Sequence, residues 1–236
     1  MLFRSALSHS PRIVTDGLVL CLDASDPQSY SGSGTTWYDR SGNGHNGTLH
    51  NGPTFSSDNG GLLSFDQTND FVNTYKNGSE LNMSEDSFSI EIAIKQNESP
   101  PTSNSQGHAG FGSFPSAISL KNTSRYFADI HNPSDTRTLV DFHSTSFYSA
   151  NQYNWMILCV TVNNETVKTY TNGDYYTSAT ISSGLQSFQS DDFSIANGYG
   201  YYRSYSNIAY VKMYSRPLTD AEVLQNYNVL KSRFGL

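Results

Sequence analysis

The chain has 236 residues, 36% of them hydrophobic and 13% aromatic, with a formal charge of -7 at pH 7. That length suits one large domain with a real core, and the acidic balance argues against a nucleic-acid or anionic-membrane surface, which needs clustered Lys and Arg. Helix formers are sparse while Ser, Thr, Asn, Gly and Tyr abound, a composition of short strands and polar turns in which aromatic rings do much of the packing.

Residues 1–12 carry Arg4 and Arg12 without the apolar stretch of a signal peptide and read as a leader or docking arm. A single domain is expected over 13–236, with no membrane span. Residues 17–23 (GLVLCLD) form a near-continuous apolar run, the pattern of a strand buried on both faces. A Ser- and Gly-rich loop follows. The glycines after Trp37, Tyr38 and Asp39 permit close backbone approach, so this loop could present carbonyls and Asp39 to a cation or simply turn the chain. Residues 61–65 are the next strand, and 66–70 (DQTND) a turn leading to Phe71 and Val72.

Residues 87–95 (SFSIEIAIK) alternate with period two, which sends Phe88, Ile90, Ile92 and Ile94 inward and Ser89, Glu91, Ala93 and Lys95 outward. Residues 98–112 read as a long surface loop. Strands are expected over 126–131 and 138–144, and the most hydrophobic one over 154–163. Asn172-Gly173 marks a type I′ hairpin between 167–171 and 174–178. After the approach at 193–196 comes a tyrosine-rich loop, and 208–214 alternates again with Ile208, Tyr210, Lys212 and Tyr214 on one face.

Pro217 ends that strand, and Thr219 with Glu222 forms a capping box, stapled by Leu218 and Val223. The helix it opens carries Val223, Tyr227, Leu230 and Phe234 as one apolar stripe, with Leu224 beside them, which must lie on the sheet that the preceding strand completes. About ten antiparallel strands and one terminal helix predict a two-sheet sandwich. Cys21 and Cys159 sit in apolar strand-like runs and read as buried free thiols; pairing them needs strand neighbours that the sequence does not fix.

Several segments in order resemble the laminin-G-like, concanavalin-type jelly-roll family. They are D-x-S-G-N-G-x-x-G-T-L from Asp39, Phe65-Asp66 with Asn69-Asp70-Phe71-Val72, Phe88-Ser89-Ile90-Glu91, Trp155 followed by Y-x-N-G-D at Tyr170, and V-K-M-Y-S-R-P-L-T-x-x-E-V from Val211. The resemblance implies an all-β, two-sheet antiparallel jelly roll with a short C-terminal helix. The opening from Ile13 through Ser29-Tyr30 to Trp37 is further similar to versions of this domain in virion proteins of tailed phages, notably marine ones. That likeness implies a virion protein assembled in the host cytoplasm, oligomeric on the particle and in contact with other virion proteins. On the capsid or tail it would be a decoration protein; as an adhesin it would bind a bacterial surface polysaccharide.

The fold also hosts glycanases, whose strand motif Glu-x-Asp-x-Glu supplies the two carboxylates of hydrolysis. The comparable positions here are Glu91, Ala93 and Lys95, so one carboxylate stands where more are needed, and no enzyme is expected. The constellation most suited to binding is a doublet, Asp129 with His131 and Asp141 with His143, each pair two residues apart and so on one strand face. Paired strands would bring both carboxylates and both imidazoles together, able to hold sugar hydroxyls, take up a metal or titrate between pH 5 and 8; ordinary cross-strand hydrogen bonds on a solvated face are the alternative. Tyr201, Tyr202 and Tyr205 could stack on a pyranose or pack a sheet edge. By resemblance a calcium ion at a loop rim would use Asp66 and Asp70, with Asp39 as an outside choice.

Overall fold

The computed structural model describes residues 12–97, 106–111, 118–122, 125–198 and 202–236. In chain order the strands are β1 (Leu18–Asp23), β2 (Thr36–Trp37), β3 (Gly47–His50), β4 (Thr54–Ser56), β5 (Leu62–Ser64) and β6 (Phe71–Asn77). Then come β7 (Ser87–Gln96), β8 (Gln106–Phe111), β9 (Ile118–Asn122), β10 (Tyr126–His131), β11 (Arg137–Asp141) and a short helix α1 (Thr145–Asn151). The chain continues through β12 (Met156–Asn163), β13 (Thr166–Thr171), β14 (Asp174–Thr180), β15 (Asp192–Ile195), β16 (Asn197–Gly198), β17 (Tyr202–Arg203), β18 (Ser206–Tyr214) and the helix α2 (Asp220–Phe234).

Two antiparallel sheets face each other. One runs β14-β13-β12-β7-β18-β5-β4, with β1 also paired to β18, and the other β11-β10-β9-β8-β15-β6-β3-β2. This is the expected two-sheet jelly-roll sandwich with a short C-terminal helix. Phe88, Ile90, Ile92 and Ile94 of β7 point inward as their alternation predicts, into one cluster with Phe111, Ile130, Val160 and Phe193. The hairpin is also as read: Asn172 (φ 53) and Gly173 (φ 83) both take the left-handed region that a type I′ turn requires.

Four expectations need correction. Gln106–Phe111, assigned to a surface loop, is a buried strand between β9 and β15. Its small residues Gly107, Ala109 and Gly110 lack any intrinsic strand signal, and its neighbours impose the extended form; residues 98–105 and 112 of that predicted loop lie outside the described residues. Ile208 faces the core rather than sharing a face with Tyr210, because a bulge between them shifts the register against β7. Leu224 is exposed, and Asn226 is buried beside Val223 and Phe234.

The fourth correction concerns the outer face of β7. Ser89, Glu91 and Ala93 point away from the core, but α2 lies over them and all three are buried. The cap is as the sequence indicates: Thr219 accepts from the Glu222 N–H, the Glu222 side chain returns to Thr219, and Gly235 closes the helix in the left-handed conformation. Phe234 packs on Trp155 at 4.7 Å between ring centroids, and the Arg233 guanidinium reaches Asp23 at 2.8 Å and the Asn59 carbonyl at 2.6 Å. Both ends of α2 are therefore tied to the sheet.

Under the helix runs a lateral row, because Cys21 pairs with Lys212, Lys212 with Glu91, and Glu91 with Cys159. The cysteines are three strand spacings apart, roughly 14 Å, twice the reach of a disulfide at about 7 Å. They are free thiols. Between them Lys212 Nζ meets Glu91 Oε1 at 3.0 Å, and both side chains are sealed from solvent. Asn226 donates to Glu91 Oε2 at 3.1 Å, while its Oδ1 accepts the Val14 N–H at 2.8 Å. Lys212 also lies 3.5 Å from the centre of the Tyr210 ring.

A buried pair of this kind punishes the loss of one partner far more than the loss of both. Glu91→Leu or Lys212→Met alone should lower the unfolding free energy by about 3–5 kcal/mol, and the double variant should recover most of it. Urea denaturation of the three variants measures this; a double variant as unstable as the worse single one would refute it.

Candidate functional site

The doublet strands do pair, β10 against β11, with Asp129 opposite Leu139 and Asp141 opposite Phe127. Their carboxylates are already met by cations. Asp129 is fully buried and accepts from Lys121 at 2.8 Å and from Arg137 through two hydrogen bonds of 2.6 and 2.9 Å, while His131 Nδ1 lies 2.8 Å from Asp135. Asp141 pairs with Arg125 at 2.5 Å. The two imidazoles do not converge. β11 ends at Asp141, and the Thr169 and Thr171 hydroxyls of β13 take the carbonyls of Asp141 and Phe142 at 2.6 and 2.7 Å. This draws the chain towards the opposite sheet, so His143 leaves the face of Asp141 and stacks on Tyr148, with centroids 5.6 Å apart.

At the loop rim, Asp39 organises its own turn. Its Oδ1 accepts the N–H groups of Cys21 and Ser41, both at 2.8 Å, and its Oδ2 accepts the Ser41 hydroxyl at 2.6 Å and the His45 N–H at 3.1 Å. Donors thus occupy the oxygens that a cation would need. Asp66 accepts from the Thr68 N–H at 2.8 Å; burial works against its ionised form, but that and neighbouring backbone N–H groups hold its pKa below the usual value. Asp70 is pushed the other way, by burial and then by the charge of Asp66, with Arg203 opposing. Among the described residues no group of three or more His, Cys, Asp or Glu is placed to hold a metal. A calcium ion fits this rim poorly, since it takes six to eight oxygens, while both Asp39 oxygens are occupied and the charge of Arg203 acts on Asp70.

Of the loop tyrosines, Tyr201 lies outside the described residues and only the backbone of Tyr202 is described. Tyr205 is half-buried, with its N–H on Gln106 at 2.7 Å and its carbonyl accepting from Asn97. Near it Ser204 and His108 make a hydrogen bond of 2.8 Å. Both are sealed from solvent and burial holds His108 down at about 3, so this pair has neither access nor basicity for catalysis at neutral pH.

The sequence reading missed an open cleft of about 480 Å³ between α1, the β13–β14 turn and α2. Tyr175, Tyr176 and Phe147 supply its rings and are 50%, 43% and 38% exposed. Consecutive tyrosines should point to opposite faces of a strand. Here Thr169 pairs with Thr177 and Tyr170 with Tyr175, leaving Tyr176 as the extra residue of a bulge, which brings both rings to the cleft. Phe147 arrives by a different route. Ser144 caps α1 by accepting the Phe147 N–H at 3.2 Å, which sets that ring one turn after His143. Below, Gly173 is irreplaceable: a Cβ there would lie 2.8 Å from Tyr227 on a backbone already at positive φ.

His143 is the one residue of the predicted doublet that lines this cleft. Its Nδ1 lies 3.1 Å from the Ser144 carbonyl, which can only accept, so Nδ1 carries the hydrogen. Nε2 is then an acceptor, buried and without a partner among the described residues. Burial pulls the pKa of His143 below its ordinary value, against the Ser144 carbonyl and Asp141, which keeps the ring neutral near pH 7. A neutral ring nitrogen among aromatic faces, with Asn172 and Asp174 beside it, suits a ligand that offers hydroxyl donors and a flat apolar face.

A sequence profile described as the concanavalin A-like lectin/glucanases superfamily matches residues 66–224. The chain belongs to this superfamily. Solved structures similar to this member include the binding domain of Paraclostridial Mosquitocidal Protein 1, with TM-score 0.70, 16% identity and coverage of 91% of this chain and 52% of that one. The receptor-binding domain of botulinum neurotoxin type G gives 0.64, 16%, 91% and 51%, and the binding domain of serotype D/C VPI 5993 gives 0.70, 16%, 92% and 53%. At these identities the likeness is one of fold, and the superfamily member spans about half the length of those chains. No curated protein sequence matches it.

The rim geometry predicts an unchanged melting temperature in excess EDTA; a fall of several degrees, reversed by calcium, would show a structural ion that the carboxylates do not reveal.

Proposed function

We propose that this domain is a non-enzymatic, glycan-binding structural protein on the particle of a tailed phage. The observation that carries sugar binding is the cleft, which exposed Tyr175, Tyr176 and Phe147 line together with His143, whose Nε2 has no hydrogen-bond partner among the described residues. Its volume falls in the range of ordinary ligand sites, roughly 300–1,000 Å³. Membership of a lectin and glucanase superfamily supports a carbohydrate ligand. The names of the neighbouring folds, binding domains of toxins, support attachment as the use of the fold, although those names describe chains about twice as long.

The absence of catalysis rests on the outer face of β7. Where a glycanase of this fold needs carboxylates open to substrate, Glu91 lies under α2, tied to Lys212 and Asn226, and the next outward positions are Ala93 and Lys95. The particle assignment rests on the resemblance of the stretch from Ile13 to Trp37 to phage virion proteins. Decoration of capsid or tail and adhesion to the host both fit that setting, and the exposed rings of the cleft favour a contribution to adhesion. The docking arm assigned to residues 1–12 falls, apart from Arg12, outside the described residues.

Purified domain should bind polysaccharide from the host surface in a glycan array or by calorimetry. Tyr175→Ala combined with Tyr176→Ala should weaken that binding at least tenfold, as about 1.4 kcal/mol of lost ring contact would do, with the melting temperature nearly unchanged because both rings are exposed. Equal binding by variant and wild type would remove the cleft from the account. Immunogold label on intact virions tests the setting, and label nowhere on the particle would count against it.

A further inference from the structure

The cleft continues past Phe147 and Asn172, which also border a second hollow of about 320 Å³. The second hollow follows the last turns of α2 to Leu236 and lies over Trp155 and Lys95. From Tyr227 in the first hollow to Phe234 in the second is seven helix positions, about 10 Å along the axis. One sugar ring is too short to reach from one hollow into the other. Filling both takes a chain.

The two hollows differ in charge. The first offers His143, Asn172 and Asp174, a set for neutral hydroxyls. The second has Lys95, which stands on the outward face of β7 half-exposed. On the same face Lys212 is neutralised by Glu91, and three cations on or against α2 are also matched, Arg216 by Glu222, Arg233 by Asp23 and Lys168 by Asp220, while Lys231 lies 5.3 Å from the centre of the Tyr227 ring, which lines the first hollow. Lys95 makes no ion pair or hydrogen bond to any described residue. In a chain of charge -7, an ammonium that no described residue matches, lining a groove with the indole of Trp155 and the amides of Asn151 and Asn154, is a receptor for an anionic group.

We propose that the two hollows form one groove that takes an internal stretch of a linear, carboxylate-bearing polysaccharide. A neutral pyranose lies against Tyr176 and Phe147, with a hydroxyl donating to His143 Nε2. The carboxylate of a neighbouring uronic-type sugar meets Lys95. This rests on the reading of the cleft as a glycan site and adds chain length and charge to it.

The test begins with wild-type domain on an array of neutral and acidic bacterial polysaccharide fragments of one to six sugars. The tightest fragment is then titrated by calorimetry beside its carboxyl-reduced form. The groove predicts an acidic fragment of at least three sugars, bound at least tenfold more tightly than its monosaccharides and than the reduced form. Lys95→Gln should weaken binding tenfold and abolish the preference for the carboxylate, while Lys95→Arg keeps most of both; Lys95 is surface-lining, so both variants should melt near wild type. A tightest ligand that is neutral or phosphate-bearing, a monosaccharide that binds as well as the chain, or a Lys95→Gln variant that still prefers the carboxylate would overturn the proposal while leaving glycan binding intact. Binding to no glycan at all would instead overturn the reading on which it rests.

Discussion

The buried contact of Lys212 with Glu91 constrains where everything on the outer side of one sheet can sit. A pair of opposite charges on adjacent strands, cut off from water, is held at acceptable cost only if its remaining hydrogen-bonding capacity is met. That condition is served by α2, which brings Asn226 to Glu91 and lays its apolar stripe over the row. Asn226 also takes the Val14 N–H, and Tyr214 donates to the Val14 carbonyl, so the start of the domain is fastened by the same network. A helix that slid by one turn would leave Glu91 with an open carboxylate oxygen and expose Lys212. The Tyr170 hydroxyl, which donates to Asp220 at 2.7 Å, and the Arg233 contacts at the other end hold it against such a slide.

That placement decides what the outer face can do. On a sheet of this superfamily the open face is ground on which a substrate could lie, and here its centre is closed. What stays open is the margin, where α2 runs out, the β13–β14 turn rises and α1 stands opposite. The groove is the gap that those elements leave. Its rings are fixed by features that do not depend on a ligand, a bulge for Tyr175 and Tyr176 and a capped helix for Phe147. A site formed in this way exists before its ligand arrives, so binding orders little that is loose.

The elements with the strongest local signals could be read from the sequence: the period-two run of β7, the Asn172-Gly173 turn, and the capping box with its apolar stripe. The resemblance implied the two-sheet jelly roll, and the strand order within it comes from the structure. The features that escaped reading depend on neighbours. Nothing in Q-G-H-A-G-F announces a strand, because β8 is held extended by its sheet neighbours β9 and β15 and not by its own side chains. Glu91 and Asn226 each look like solvent-facing positions, and only the meeting of helix and sheet turns them into a buried network. The doublet failed as a cluster for a related reason: alternation holds only while the strand lasts, and β11 stops at Asp141, two residues before His143. The consecutive tyrosines at 175 and 176 were passed over because period two separates them, and a bulge cannot be seen without the partner strand.

A crystal structure of the domain with the tightest-binding fragment from the host polysaccharide tests the central claim most directly, that the helix-bounded margin of the sheet is the recognition surface. The account predicts sugar density along the groove, with one ring against Tyr176 and Phe147 and the chain passing over Asn172 towards Trp155. Density confined to the outward face of β10 and β11, around Asp129 and His131, or to the tyrosine-rich loop before β18, would contradict it.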